Sequence, residues 1–216
     1  MQDIKAFNET RAEIYWWLSG LFSRALSQAE LTQYYTADVQ NFLAGLAANK
    51  TLTPAVKQLV LALEQLQRYP DKADILASDY TVLFAGKVPP LASPYAVDYQ
   101  RRYEREIVVD KIEAIMSAHG IDIYHGLNDS ADHVSVLLDF LGQMVIRSNE
   151  LEQFKHMQDA FGQQQLFIGD YLLNWTPEFA LRCQRGDPHG FYAAASALLN
   201  DFLRLDCEYL QDRTAD

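Results

Sequence analysis

The chain has 216 residues, 49% of them hydrophobic and 22% charged, enough to bury a sizeable core and too apolar for a disordered chain. Its 29 Asp and Glu against 18 Lys and Arg leave a net charge of −11, which excludes non-specific nucleic-acid binding, because that needs basic surface to displace phosphate counterions. The only two cysteines, Cys183 and Cys207, form no CxxC pair, and no stretch approaches the roughly 18 uninterrupted apolar residues of a membrane span. The start of the chain, MQDIKAFNETRAEIYWWL, lacks the basic region and apolar run of a secretory signal. The expectation is a cytoplasmic protein with reduced thiols, both buried as small hydrophobes.

Helical periodicity runs through almost the whole chain. Ile14, Tyr15, Leu18, Leu21, Phe22 and Leu26 recur at three- and four-residue steps and predict an amphipathic helix of about five turns. Ser27-Gln28-Ala29-Glu30 is a capping box for a short second helix, and Asp38 is placed to cap a third through Val39, Phe42, Leu43 and Leu46. Thr53-Pro54 opens a fourth helix to Leu66, and a fifth runs from about Asp71 into Leu83 and Phe84. The stretch YTVLFAGKVPPLASPY, residues 80–95, then interrupts the pattern with a glycine, three prolines and a row of apolar side chains. A packing loop, an enzyme lid and a peptide-binding groove are all open readings of it.

Ser93-Pro94 repeats the cap-plus-proline signal and predicts a long helix through Tyr103, Ile107, Ile112 and Ile115, stopped at His119-Gly120. Residues 120–131, GIDIYHGLNDSA, read as a hinge. The pattern resumes from Asp132 to about Arg147, weakens over 150–161 and 163–174, and returns in helices opened by Thr176-Pro177 and Asp187-Pro188. The last carries an apolar stripe of Phe191, Leu198, Leu199, Phe202 and Leu205, and Trp175 and Phe179 read as core beside it. No strand-period run competes. The predicted fold is all-α, a helical bundle in two lobes, 1–119 and 132–216, joined by the 120–131 hinge. Such a hinge permits a monomer or a domain-swapped homodimer.

Motifs of catalysis are missing. Gly86-Lys87 lacks the GxxxxGK[ST] context that wraps phosphates, and neither GxGxxG, GxSxG nor HExxH occurs. Asp129/His133 and Glu152/His156 are spaced four apart, unlike the Glu-x-x-His pairs of di-iron bundles, so a metal-dependent hydrolase on Asp129, His133 and Glu152 is the weaker alternative. Asp132-His133 has two readings: Asp132 as a helix cap with His133 beside it, or an acid–imidazole pair presented at a cleft.

Taken together, YxxLFxG…PPxxSPYxxxY (Tyr80, Leu83, Phe84, Gly86, Pro89, Pro90, Ser93, Pro94, Tyr95, Tyr99) and the later Asp132-His133 resemble the TorD/DmsD/NarJ family of redox-enzyme maturation chaperones. WLSGLFSRALSQAELTQ (17–33) and DPHGFYAAASALL (187–199) are most similar to its TorD branch. The resemblance implies an all-helical, non-enzymatic chaperone with no cofactor of its own. Its partners would be an apo-molybdoenzyme of the trimethylamine N-oxide reductase type and that client's twin-arginine signal peptide. It would hold the client back from export and assist insertion of molybdopterin guanine dinucleotide; weak GTP binding is associated with some members. A helical adaptor, or a protein that binds or hydrolyses guanine nucleotides, is the alternative.

The residues that the resemblance assigns to the client are Asp79, Tyr80, Leu83, Phe84, Pro90, Ser93, Pro94, Tyr95, Tyr99, Asp132 and His133. An apolar groove from Leu83, Phe84, Pro90 and Tyr95, with Asp79 and Asp132 meeting the arginines, would suit such a peptide. The chain departs from the family pattern at Ala131, where many relatives have proline, and at Leu137, where they carry a glutamate. Asp139 is the nearest carboxylate to that position.

Overall fold

A computed structural model of the protein describes residues 2–86, 90–101, 105–120 and 130–214, and among these it contains ten α-helices and no β-strand. The helices are α1 (Gln2–Ser23), α2 (Gln28–Gln33), α3 (Ala37–Ala47), α4 (Thr53–Leu66), α5 (Lys72–Tyr80), α6 (Arg105–Ala118), α7 (Val134–Ser148), α8 (Phe154–Ile168), α9 (Thr176–Gly186) and α10 (Phe191–Thr214). The all-α class expected from the periodicity holds. The Ser27 box closes as expected: its hydroxyl accepts the Glu30 amide while Glu30 accepts the Ser27 amide.

Several boundaries differ from the sequence reading, each for a local reason. Thr36, not Asp38, precedes α3. Ser93-Pro94 does not start a helix: Tyr95 pairs with His133 in an isolated antiparallel bridge, Ala96–Tyr99 makes one 3-10 turn, and α6 begins at Arg105. Tyr103, expected on that helix, lies outside the described residues, as do Pro89 and Asp129. The two weak segments expected over 150–174 are one helix, α8, prolonged by a π turn over Gly169–Leu173. Residues 121–129 of the expected hinge also lie outside the described residues, while Gly120 ends its helix at φ 57°, a conformation open to glycine.

Contacts group the chain into two compact units, each assembled from separated stretches, which cuts across the boundaries at 119 and 132. The first comprises Met1–Ser23, Pro94–Trp175 and Leu203–Asp216. In it α1 lies along α7, burying Ile14, Leu18 and Leu21 from one helix and Leu137, Leu141 and Val145 from the other. Each such side chain contributes about 1.5–3 kcal/mol. Close approach depends on Gly142, where a Cβ would stand 2.5 Å from Trp16 Nε1.

The first unit also buries an ion pair. The Arg11 guanidinium donates to both Asp206 oxygens at 2.6 and 2.8 Å, and the Tyr15 hydroxyl donates to Oδ2 at 2.6 Å. Asn8 accepts from Arg11 Nη1 and Gln164 from Nη2. A buried pair survives only with such full hydrogen bonding, because both charges have left water.

The second unit comprises Arg24–Ser93 and Thr176–Phe202. Leu31, Leu43, Leu59, Leu63, Leu66 and Leu76 fill its core with Phe179, Phe191, Leu198 and Leu199. Phe191, Tyr192, Phe84 and Phe179 pack ring against ring at centroid distances of 5.1–5.8 Å. Trp175 and Phe179 are core residues, as expected. Cys183 is fully buried, which pushes its thiol up to about 12, whereas Cys207 is half-buried, less enclosed than the sequence suggested.

Candidate functional site

In the second unit, α5 does not end at Tyr80 but runs into a π turn over Thr81–Ala85, stitched by the Thr81 hydroxyl donating to the Ala77 carbonyl at 2.8 Å. π turns of this kind recur at functional sites because they re-aim side chains that an α-helix would space evenly. The turn directs Leu83 and Phe84 inward, to 0% and 5% exposure. Two of the four residues assigned to a groove are therefore packed in the core. The large apolar side chains exposed nearby are Val82, at 50%, and Leu91, at 53%, neither of which the sequence reading singled out.

The amide of Ala92 donates to the Leu83 carbonyl at 2.9 Å, tying the end of the proline-rich stretch to the π turn. Gly186 makes room for this arrangement: a Cβ there would lie 3.0 Å from both Leu83 Cδ2 and Leu91 Cδ1. Pro90 is half-buried and Ser93 buried.

Asp79 is 5% exposed and already engaged, accepting from His189 Nδ1 at 2.7 Å. Burial raises the Asp79 carboxyl above its ordinary value, and the His189 contact offsets part of that rise. His189 is held in turn by Asp187, whose Oδ1 accepts the His189 amide and whose Oδ2 accepts the Ala193 amide; Gly190 completes the turn at φ 77°. Asp187 thus caps α10 from across the turn. Tyr80 stacks edge-on with Phe84 at 5.1 Å and Tyr192 at 5.8 Å. The buried Tyr192 hydroxyl has no hydrogen-bond partner among the described residues, and burial raises its pKa well above the usual phenol range. His189 was legible only as part of the 187–199 resemblance, with no role attached to it.

In the first unit, Asp132 and His133 take roles other than those expected. Asp132 is 1% exposed, and neither carboxylate oxygen is left over: Oδ2 accepts the Val97 amide at 3.0 Å and Oδ1 the Ser130 hydroxyl at 2.6 Å. Its carbonyl accepts the Ala96 amide at 3.1 Å. Asp132 therefore anchors the segment that follows Pro94 and does not cap α7. The cap is His133, whose Nδ1 accepts the Ser135 amide at 3.2 Å and lies 2.7 Å from the Ser135 hydroxyl. An imidazole accepting there carries its proton on Nε2. Its ring meets Tyr95 edge-on at 4.9 Å, and the Val134 amide donates to the Pro94 carbonyl at 2.8 Å. Tyr99 instead stacks on Trp175 at 5.0 Å.

The assigned residues thus fall in two sets. Asp79, Tyr80, Leu83, Phe84, Pro90 and Ser93 lie in the second unit, and Pro94, Tyr95, Tyr99, Asp132 and His133 in the first. Asp139 is half-buried, accepts from Gln143 at 2.7 Å, and is raised by burial. Among the described residues no group of three or more His, Cys, Asp or Glu is placed to hold a metal ion. None of the described helices is long and apolar enough to cross a membrane.

Residues 47–181 match the family model described as nitrate reductase delta subunit. The chain is 45% identical over 212 residues to a protein of Vibrio parahaemolyticus serotype O3:K6 named chaperone protein TorD, covering 97% of this chain and 99% of the relative. A chaperone protein TorD of Vibrio vulnificus is also 45% identical over the same shares. One from Vibrio cholerae serotype O1 is 38% identical over 213 residues, 98% of this chain and 97% of the relative. The chain belongs to the nitrate reductase delta subunit family and, within it, to the TorD chaperones rather than to a family of enzymes.

Proposed function

We propose that the protein is a dedicated chaperone for a molybdoenzyme of the trimethylamine N-oxide reductase type. It binds the client's twin-arginine signal peptide and its apo form, delays export and keeps the client open to molybdopterin guanine dinucleotide. The observation that carries this reading is the segment around the π turn. Asp79, Ser93, Leu83 and Phe84 are committed inward, while Val82 and Leu91 are exposed at 50% and 53%. Two exposed aliphatic side chains on a rigid, internally bonded support suit the moderately apolar part of a signal peptide, since little entropy is lost in ordering the receptor.

Asp79 and Asp132 act in this reading as positioning residues, since both are closed to solvent. The arginines meet the exposed carboxylate of Asp74 on α5, in the same unit, in the field of a chain carrying −11. Tyr80, half-buried in that unit, adds stiff contact area.

Calorimetric titration with a synthetic twin-arginine peptide tests the reading. Saturable binding that weakens with salt is expected, and Leu91→Ser should reduce it with little change in melting temperature. Equal affinity of Leu91→Ser and the parent would remove the exposed pair from the site. Within the same proposal, residues 120–131 serve as a hinge that lets copies exchange segments. A concentration-independent monomer in size-exclusion chromatography would end that part of it.

A further inference from the structure

Resting on the reading of Val82 and Leu91 as client contacts, we propose that Gly186 is a positioning residue of the π-turn site. By carrying no side chain it seats Leu91 on the end of α9, and so fixes how that leucine meets the client. All the groups involved lie in the second unit.

The backbone gives no reason for a glycine at 186. Gly190, four residues on, takes φ 77°, a conformation that favours glycine; Gly186 closes α9 without a positive φ, where alanine would suit the helix better. What calls for glycine is room. Phe179, Cys183 and Gly186 follow one another at four- and three-residue steps, and the first two are fully buried, so position 186 continues the inward stripe of α9. That stripe ends against the π turn. A Cβ at 186 would stand 3.0 Å from Leu83 Cδ2, 3.0 Å from Leu91 Cδ1 and 3.4 Å from Leu91 Cβ.

Two further contacts hold the surroundings of Leu91 in place. His189 Nδ1 meets Asp79 Oδ2 at 2.7 Å, tying the turn after α9 to the helix that leads into the π turn. The Ala92 amide donates to the Leu83 carbonyl at 2.9 Å, fixing the backbone just beyond Leu91. Leu83 is fully buried among close-packed neighbours and has no room to retreat, whereas Leu91 is 53% exposed and does. A methyl added at 186 therefore lifts the Leu91 side chain off the end of α9 and leaves the fold around it intact. A leucine so displaced loses the support that keeps its ordering cost low when the client binds.

Calorimetric titration with a synthetic twin-arginine peptide compares the full-length parent, Gly186→Ala and Gly45→Ala. Gly45, on α3 of the same unit, has nothing within 4 Å of an added Cβ and serves as the control. Gly186→Ala should bind about tenfold more weakly, with a Tm within about 2 °C of the parent, because the helix propensity of alanine offsets the crowding. Gly45→Ala should bind as the parent does. Leu91→Met added to Gly186→Ala should recover most of the loss, since an unbranched thioether chain bends round the new methyl. Parent-like binding by Gly186→Ala would overturn the assignment while leaving the peptide reading in place. So would a loss that Leu91→Met does not recover, or one accompanied by a large fall in Tm, since Gly186 would then act on the fold and not on Leu91. A parent that binds no peptide would instead remove the client reading and the assignment with it.

Discussion

Replacing Asp132 by alanine should cost the protein stability before it costs any contact with a client. The substitution removes two acceptors from a carboxylate that is 1% exposed, one for the Val97 amide at 3.0 Å and one for the Ser130 hydroxyl at 2.6 Å. Hydrogen bonds to a charged partner are worth about 1.5–3 kcal/mol each, and the part-buried amide of Val97 would lose its acceptor. The Ser130 hydroxyl can rotate toward water, so its share is the smaller. A loss of about 3 kcal/mol is therefore expected. In a chain of this length that lowers Tm by roughly 6–12 °C.

Asp132→Asn keeps one acceptor oxygen and should lose about a third of that. The backbone bond from the Ala96 amide to the Asp132 carbonyl survives both changes, so the 94–99 segment should loosen and not unfold outright. Thermal and urea unfolding followed by circular dichroism measure the effect. A Tm for Asp132→Ala within a degree of the parent, with peptide binding lost, would refute the anchoring role and make the carboxylate itself the contact.

Other perturbations reach different parts of the structure. Asp206→Ala leaves Arg11 as an uncompensated buried charge and should cost about 3–5 kcal/mol in urea unfolding. Replacing Asp206 and Arg11 together by apolar residues should recover much of it. Gly142→Ala drives a Cβ into Trp16 and should destabilise by about 1–3 kcal/mol despite the better helix propensity of alanine; no loss of Tm would mean the indole swings aside freely. For Asp139 the folded carboxyl is raised by burial, so its charged form is a penalty that is present above the raised folded value and absent below the unfolded one. Asp139→Asn, which keeps an acceptor for Gln143, should therefore be more stable than the parent at pH 7, with the gap closing as the pH falls through the acid range. A constant gap from pH 7 to pH 3 would contradict this.

The all-α class, most helix starts and the core stripe of α10 were legible because they rest on local signals: capping residues, prolines at first turns and three-to-four periodicity. Ser27 and Thr176 illustrate this, opening helices where the sequence places them. What was not legible depends on partners distant in sequence. Ser93-Pro94 reads as a helix start by local rules, yet the bridge from Tyr95 to His133 and the Asp132 carbonyl claim that backbone first.

The same holds at the candidate site. The resemblance located Asp79, Asp132 and His133 but not their work, because only the fold brings His189 to Asp79 and Val97 to Asp132. Val82 is as apolar as Leu83 and Phe84, and the π turn decides that it faces out while they face in. The Arg11–Asp206 pair, 195 residues apart in the chain, left no local trace at all.

Two forms of one client give the most direct test of the chaperone assignment. Calorimetric titration of the protein with a trimethylamine N-oxide reductase, once as apoenzyme with its twin-arginine signal and once loaded with molybdopterin guanine dinucleotide and lacking that signal, measures the discrimination. The account predicts saturable, salt-sensitive binding to the first and none to the second. Equal binding to both forms, or binding to neither, would contradict it.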